Sequence, residues 1–262
     1  MKPQIIVFSH RRSGTHLVID AICQNFSNYS DSIPAENTFI ELFRGKDNKE
    51  FERAKAAVKI KSNVFFSHLH DLDKIDNYFE NDPDVLAFYR ELIANSKLIY
   101  VQRDGKDVMV SMYEWMKATN FIDSNTSFSE FIRQENNWEA PAIETNSNRV
   151  AFWANHVKSW SQRKNILQLN FEDLLSDFDS KIDEIATHIE ETKPNTITNS
   201  KRKPFLGFIP YGKWTRRIKK YSIDLIIKPK SHAHFFRKGQ KGDFKNYFND
   251  SDLDFFYLNT KG

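Results

Sequence analysis

Cysteine, glycine and long apolar runs are all scarce in this sequence of 262 residues. The single cysteine, Cys23, cannot form an internal disulfide, and it excludes a zinc ribbon or an iron–sulfur cluster, which need several thiolates. A chain with a single cysteine is typical of a reducing compartment, so we expect a cytoplasmic protein. Only eight glycines are present, which excludes a Gly-X-Y fibre. No apolar run approaches the roughly 18 residues of a membrane span or the roughly 7–15 of a secretory signal.

What is present is typical of a globular protein. Hydrophobic residues make up 40% of the chain and aromatic residues 14%, which is too apolar for a disordered chain. The length suits one large α/β domain, and we expect residues 1–262 to form a single domain. The net charge of +3 indicates no particular partner. Residues 201–245, however, carry fourteen Lys or Arg and only two acids, which is typical of either a solvated face or a site for a polyanionic ligand.

Strands and helices alternate along the chain. Short apolar runs predict buried strands at residues 5–8, 64–66, 98–101 and 166–169. Helical spacing of apolar residues predicts helices at residues 15–26, 108–116, 149–163 and 173–189. This order predicts an α/β fold with a central parallel sheet flanked by helices. Residues 28–61 and 192–231 show no clear periodicity.

The first strand passes into a helix through the sequence His10-Arg-Arg-Ser-Gly-Thr-His16. Backbone N–H groups and the positive end of a helix favour an anion at such a junction. Gly14 would let the backbone approach a phosphate closely, and Arg11 and Arg12 add positive charge. The Walker pattern of ATPases and GTPases is absent, since Thr15 follows Gly14 directly. Alone, this stretch is better explained by chance or by a plain helix-capping turn.

Two further stretches combine basic residues with strand or turn signals. Arg103 follows the third strand, and Ser111 lies on the next helix, at the sheet edge where α/β proteins bind ligands. The simpler alternative is a strand–helix corner in which Arg103 pairs with Asp107. Residues 236–246 read FRKGQKGDFKN, a cationic turn with two glycines that suits backbone wrapping around an anion. Its simpler alternative is a solvated basic turn.

Together, these stretches resemble the cytosolic-type sulfotransferases, a family that uses 3′-phosphoadenosine 5′-phosphosulfate (PAPS) as donor. The family's P-K-S-G-T-T-W is matched by residues 11–17, its R-[ND]-P-K-D-x-x-V-S by residues 103–111, and its R-K-G-x-x-G-D-W-K-N by residues 237–246 with only Phe244 differing. Its K-T-H-L-P, H-V-x-x-W and Y-E-D-[LM] blocks correspond to FSHLH at 66–70, HVKSW at 156–160 and FEDL at 171–174. The six blocks occur in the family's order. The resemblance implies a P-loop-like, nucleotide-kinase-like sulfotransferase fold.

The resemblance also implies a role for individual residues. His68 would be the catalytic base that removes the acceptor's proton, and Arg12 would stabilise the transferring group. The implied cofactor-binding residues are Arg11, Arg12, Ser13, Gly14, Thr15 and His16 at the 5′-phosphosulfate, and Arg103 and Ser111 at the 3′-phosphate, with Arg237, Lys238 and Gly239 closing over it. Phe171 is a further implied cofactor-binding residue, at the position of the family's Y-E-D tyrosine. The product would be adenosine 3′,5′-bisphosphate (PAP), and no metal is expected.

Several positions depart from the family's pattern. Arg12 replaces a lysine, so it can stabilise a bridging oxygen but cannot donate a proton to it. Leu17 replaces an adenine-stacking tryptophan, Phe171 lacks a tyrosine hydroxyl, and Phe66 replaces the lysine before the T-H pair. His70 is an alternative base, although the strand-end alignment selects His68.

The acceptor is not specified by these motifs. The resemblance implies a hydroxyl or amine on a small molecule, a glycan or a lipid, and no nucleic acid partner is expected. Apolar residues suited to an acceptor pocket are equally suited to the core: Phe39, Phe43, Phe65, Phe66, Trp115 and Phe121. Residues 205–214 mix apolar and basic side chains, which suits peripheral membrane contact. The competing functions are a non-catalytic module that binds a 3′-phosphonucleotide and a nucleotide kinase.

Overall fold

The computed structural model describes residues 2–30, 49–136, 147–199 and 241–261. Four strands form one sheet: β1 (Gln4–Ser9), β2 (Val64–Ser67), β3 (Ser96–Gln102) and β4 (Leu167–Asn170). Their order across the sheet is β2-β1-β3-β4, and all three neighbouring pairs are parallel. The predicted parallel sheet is therefore confirmed.

Helices connect and cover the strands. They are α1 (Thr15–Asn25), α2 (Lys49–Ala57), α3 (Ile75–Tyr78), α4 (Pro83–Ala94), α5 (Gly105–Ala118), α6 (Phe128–Arg133), α7 (Arg149–Ser161), α8 (Phe171–Ser176), α9 (Phe178–His188) and α10 (Asp250–Thr260). The helix expected over residues 173–189 is two helices, because the backbone at Asp177 is not helical. The periodicity did not predict α2, α3, α4, α6 or α10.

The apolar strands are buried on both faces because helices cover the sheet from both sides. Successive strand residues point to opposite faces, so Ile5 and Val7 pack with α1 and α9, while Ile6 and Phe8 pack with α4 and α7. A third apolar cluster joins α5, α6 and α10. Phe65 and Phe66, which the sequence allowed in an acceptor pocket, are buried strand residues within these layers.

The strand order places a topological switch point between β1 and β3, at the centre of the sheet. The chain leaves β1 toward β2 on one side and leaves β3 toward β4 on the other, so the connections diverge between the carboxyl ends of β1 and β3. Ligands of open α/β sheets bind at this kind of switch point. Two of the three stretches that the sequence proposed for anion binding, after β1 and after β3, begin there.

None of the described helices has the length and apolarity required to cross a membrane.

Candidate nucleotide and active site

The loop after β1 makes a tight turn into α1. Gly14 adopts φ 103°, a left-handed conformation that disfavours other residues, and α1 begins at the next residue. A Cβ atom on Gly14 would lie 2.5 Å from Cδ2 of Phe171, so a larger residue would also collide with that ring. The first turn of α1 directs its N–H groups toward this loop.

Arg12 connects this loop to the third strand and its helix. Its backbone has φ 68°, an uncommon value for a residue with a side chain. Its carbonyl accepts a hydrogen bond from Nη1 of Arg103 at 3.3 Å, and its Nε donates to Oγ of Ser111 at 3.1 Å. The structure therefore brings together three predicted site residues that lie far apart in the sequence.

The corner between β3 and α5 is built around two aspartates. Asp104 caps α5 by accepting a hydrogen bond from the N–H of Lys106 at 2.9 Å. The buried carboxylate of Asp107 accepts hydrogen bonds from the backbone N–H groups of Gly242 at 2.7 Å and Phe244 at 3.0 Å. Asp107 thus binds the second half of the C-terminal basic motif, which differs from the Arg103–Asp107 pair that the simpler alternative for this corner predicts.

His68 lies just beyond the end of β2, beside the loop after β1. Its Nδ1 is 2.8 Å from the carbonyl oxygen of Ser9, which can only accept, so Nδ1 carries the proton and Nε2 of the neutral ring keeps its lone pair. Ser9 Oγ lies 3.3 Å from this Nδ1 and 2.6 Å from Thr15 Oγ1. Ser9 therefore joins the histidine to the start of α1.

Burial lowers the pKa of His68 well below its usual 6.5, and the positive charge of Arg11 lowers it further. A histidine with a lowered pKa is neutral at pH 7, which is the form that accepts a proton. His70 is placed differently. Its ring stacks on Phe152 with centroids 4.5 Å apart, and it is buried among aromatic residues.

The remaining predicted residues divide into two groups. Ser13 is buried in the loop, and the ring of His16 lies edge-on to Phe66 with centroids 5.3 Å apart. Phe171 lies against Gly14, and the guanidinium of Arg103 is 4.5 Å from the centre of its ring. Arg237, Lys238 and Gly239 lie outside the described residues.

Three contributors to this site were not identified from the sequence. They are Ser9, which links His68 to Thr15, Asp107, which binds the C-terminal segment, and Trp160. The indole of Trp160 donates to the carbonyl of Leu69 at 2.9 Å and stacks on Phe8. It thereby holds the chain that follows His68. Ser9 was visible only as a polar residue at the end of a strand, which by itself indicates no role. Asp107 and Trp160 stand in the family blocks at 103–111 and 156–160, but the blocks did not indicate these contacts.

The sulfotransferase domain family matches residues 2–258. This chain belongs to that family. Sulfotransferase 1B1 of Canis lupus familiaris is 26% identical over 167 residues, covering 59% of this chain and 50% of the relative. Several such alignments span about half of the relatives' length, whereas sulfotransferase 2A1 of Homo sapiens is 22% identical over 253 residues, covering 93% of this chain and 78% of the relative.

Solved structures agree with this family in fold. The mouse sulfotransferase SULT7A1, in complex with PAP, matches with a TM-score of 0.57 and 21% identity, covering 99% of this chain and 83% of that chain. Retinol dehydratase, in complex with retinol and PAP, matches with a TM-score of 0.58 and 17% identity, covering 100% of this chain and 81% of that chain. The expected sulfotransferase fold is confirmed.

Among the residues that the structure describes, no three His, Cys, Asp or Glu side chains are arranged to hold a metal ion.

Proposed function

We propose that this chain, as one domain over residues 1–262, is a PAPS-dependent sulfotransferase that transfers a sulfuryl group to a hydroxyl or amine. The observation that carries the proposal is the position of Ser9, which bonds to His68 on one side and to Thr15 at the start of α1 on the other. A neutral base and an anion-binding loop are thereby held side by side. Family membership and the PAP named in the two structural neighbours support the donor.

The donor's two anionic groups are assigned to two parts of the site. The loop of residues 11–16 would bind the 5′-phosphosulfate through backbone N–H groups, hydroxyls and the Arg12 guanidinium. Arg103 and Ser111 would bind the 3′-phosphate, together with Arg237, Lys238 and Gly239 of the C-terminal motif. The contacts of Arg12 with both Arg103 and Ser111 support this division, because they place the two groups of residues next to each other.

The reaction is an in-line displacement at sulfur. The acceptor oxygen forms a bond to sulfur as the bond from sulfur to the 5′-phosphate oxygen breaks, and PAP leaves with that bond's electron pair. Nε2 of His68 takes the acceptor's proton, while Nδ1 stays bonded to the carbonyl of Ser9. Arg12 keeps its proton and stabilises the charge that develops on the bridging oxygen.

The acceptor is proposed only as a chemical class. Retinol and androsterone are the ligands named with PAP in two structures of retinol dehydratase, which makes small hydroxyl compounds the first class to test. The basic residues 201–245 and the mixed residues 205–214 add acidic glycans and lipids to the test set.

The test is transfer of labelled sulfate from PAPS to a panel of phenols, sterols, primary alcohols, amines and glycans, with mass spectrometry of the products. The protein should add one sulfuryl mass to at least one acceptor and release PAP, and His68→Asn should slow this transfer by roughly 10²- to 10⁴-fold while still binding PAP. PAP binding without transfer to any acceptor in the panel would instead favour the non-catalytic binding module. Phosphate transfer from labelled ATP would favour a kinase.

A further inference from the structure

The end of β4 and the end of β3 are matched residue by residue. Gln102 and Asn170 pair in the sheet register, and their side chains share a hydrogen bond of 2.6 Å. One residue further, Phe171 contacts Arg103, and the next residue, Glu172, accepts from the backbone N–H of Asp104 at 3.2 Å. Three consecutive residues of one chain segment therefore support three consecutive residues of the other, and Phe171 is the central one.

The ring of Phe171 contacts two parts of the candidate site at once. One edge fills the space over Gly14, where even a Cβ atom would come within 2.5 Å of the ring. The face of the same ring lies 4.5 Å from Cζ of Arg103, which is the geometry of a cation–π contact. Because the residue is only 6% exposed, water screens this contact little.

We infer that Phe171 is a positioning residue for recognition of the 3′-phosphate. Its face holds the guanidinium of Arg103 in one orientation, and its edge fixes the backbone of Gly14, so that two anion-binding elements keep their separation. Phenylalanine has no hydroxyl to bond to a ligand, so this contribution passes through Arg103 and Gly14. The inference rests on the proposed function, because it assigns a role in binding the nucleotide of that same site.

The experiment compares binding of PAP and of ADP, which lacks the 3′-phosphate, by calorimetry. Phe171→Leu keeps apolar volume beside Gly14 but removes the aromatic face. PAP affinity should fall by roughly 5- to 30-fold, as expected for loss of a buried cation–π contact, while ADP affinity changes by less than about twofold. Phe171→Tyr retains the face and should keep the parent's ratio of PAP to ADP affinity.

Phe178→Leu is the matched control, since Phe178 is also an almost buried helix residue, 7% exposed, but it lies in the apolar layer with α1. It should lower the melting temperature without changing the PAP-to-ADP ratio, which separates positioning from general loss of stability. If the Phe171→Leu variant does not fold, Phe171→Met replaces it, because the flexible side chain of methionine fills irregular gaps.

The outcomes distinguish the inference from the proposed function. A parent protein that binds PAP and ADP equally overturns both. A parent that prefers PAP, with an unchanged ratio in Phe171→Leu or Phe171→Met, overturns only the role of Phe171. The inference also fails where Phe171→Tyr loses as much selectivity as Phe171→Leu. In an Arg103→Gln background, Phe171→Leu should cause little further loss, and a full additional loss would show that Phe171 does not act through Arg103.

Discussion

The Nε of Arg12 donates to the Oγ of Ser111 at 3.1 Å, although 98 residues separate them in the chain. The loop after β1 and the helix after β3 are thereby in direct contact. Arg12 holds this position with an uncommon backbone φ of 68°. Strained backbone of this kind persists where the surroundings fix it, and here both the carbonyl and the side chain of Arg12 are engaged.

Arg12 should be replaceable by lysine but not by alanine. Arg12→Lys keeps a positive charge at the bridging oxygen and should retain measurable turnover. Arg12→Ala should cost about 2–4 kcal/mol of transition-state stabilisation, or roughly 30- to 1000-fold in kcat. Steady-state kinetics with PAPS and an identified acceptor measure this. Stability should fall by about 1–2 kcal/mol, because alanine keeps the strain at this φ but loses the hydrogen bond to Oγ of Ser111. Parent-like turnover in Arg12→Ala would mean that the sulfuryl group binds elsewhere.

His68 and His70 should respond differently to the same substitution. His68→Asn should lower turnover by roughly 10²- to 10⁴-fold with PAP affinity unchanged, since a general base acts only when the acceptor attacks. His70→Asn should lower the melting temperature instead, because it removes a buried ring that stacks on Phe152. Kinetics, calorimetry and thermal melts on both variants test the contrast. Loss of turnover in His70→Asn alone would show that the catalytic base is His70 and not His68.

Turnover should be nearly constant from about pH 7 to 8. The pKa of His68 lies well below 6.5, so its ring is already neutral throughout this range. The rate should fall only as the pH drops below the usual histidine value of about 6.5 toward the lowered pKa. The dependence of kcat/KM on pH measures this. A rate that rises through pH 6.5 with the profile of an ordinary histidine would show that burial does not lower this pKa.

The folded protein should lose stability in mild acid. Burial lowers the pKa of His10 to about 4 and that of His156 well below 6.5. Between the unfolded value of about 6.5 and the folded value, only the unfolded chain binds these protons, so the free energy of unfolding falls as the pH falls. His10 alone should account for about 3 kcal/mol by pH 4.

Urea denaturation from pH 8 to 4.5 measures this loss. His10→Gln removes one titrating group, so its curve should fall less steeply with acid than the parent curve. Equal slopes for the parent and His10→Gln would contradict the assignment of the loss to His10.

Gly105 should be required for packing rather than for backbone conformation. A Cβ atom there would lie 2.5 Å from Cζ3 of Trp153. Gly105→Ala should therefore destabilise the protein by about 1–3 kcal/mol through overpacking, despite the better helix propensity of alanine. The double variant Gly105→Ala/Trp153→Leu should be more stable than the sum of the two single changes predicts, as denaturant titration would measure. Additive losses would show that the collision is relieved elsewhere.

Local patterns in the sequence were sufficient for the four strands, for α1, α5, α7 and the region of α8 and α9, and for the loops at the strand ends. Periodicity and apolar runs depend on neighbouring residues, so they are readable without a fold. The same local patterns, in family order, were sufficient to identify the sulfotransferase family. The sequence did not predict α10 because apolar residues lie around much of its circumference and leave no single-faced pattern.

Tertiary structure alone decided which residues support the site. Asp107 could pair with Arg103 or with another donor, and folding assigned its carboxylate to the N–H groups of Gly242 and Phe244. The pairing of residues 102–104 with 170–172 and the hydrogen bond from His68 to Ser9 likewise join distant segments. Such contacts depend on strand order and register across the sheet. Many interactions between distant residues fix that order and register together, so no local sequence pattern predicts them.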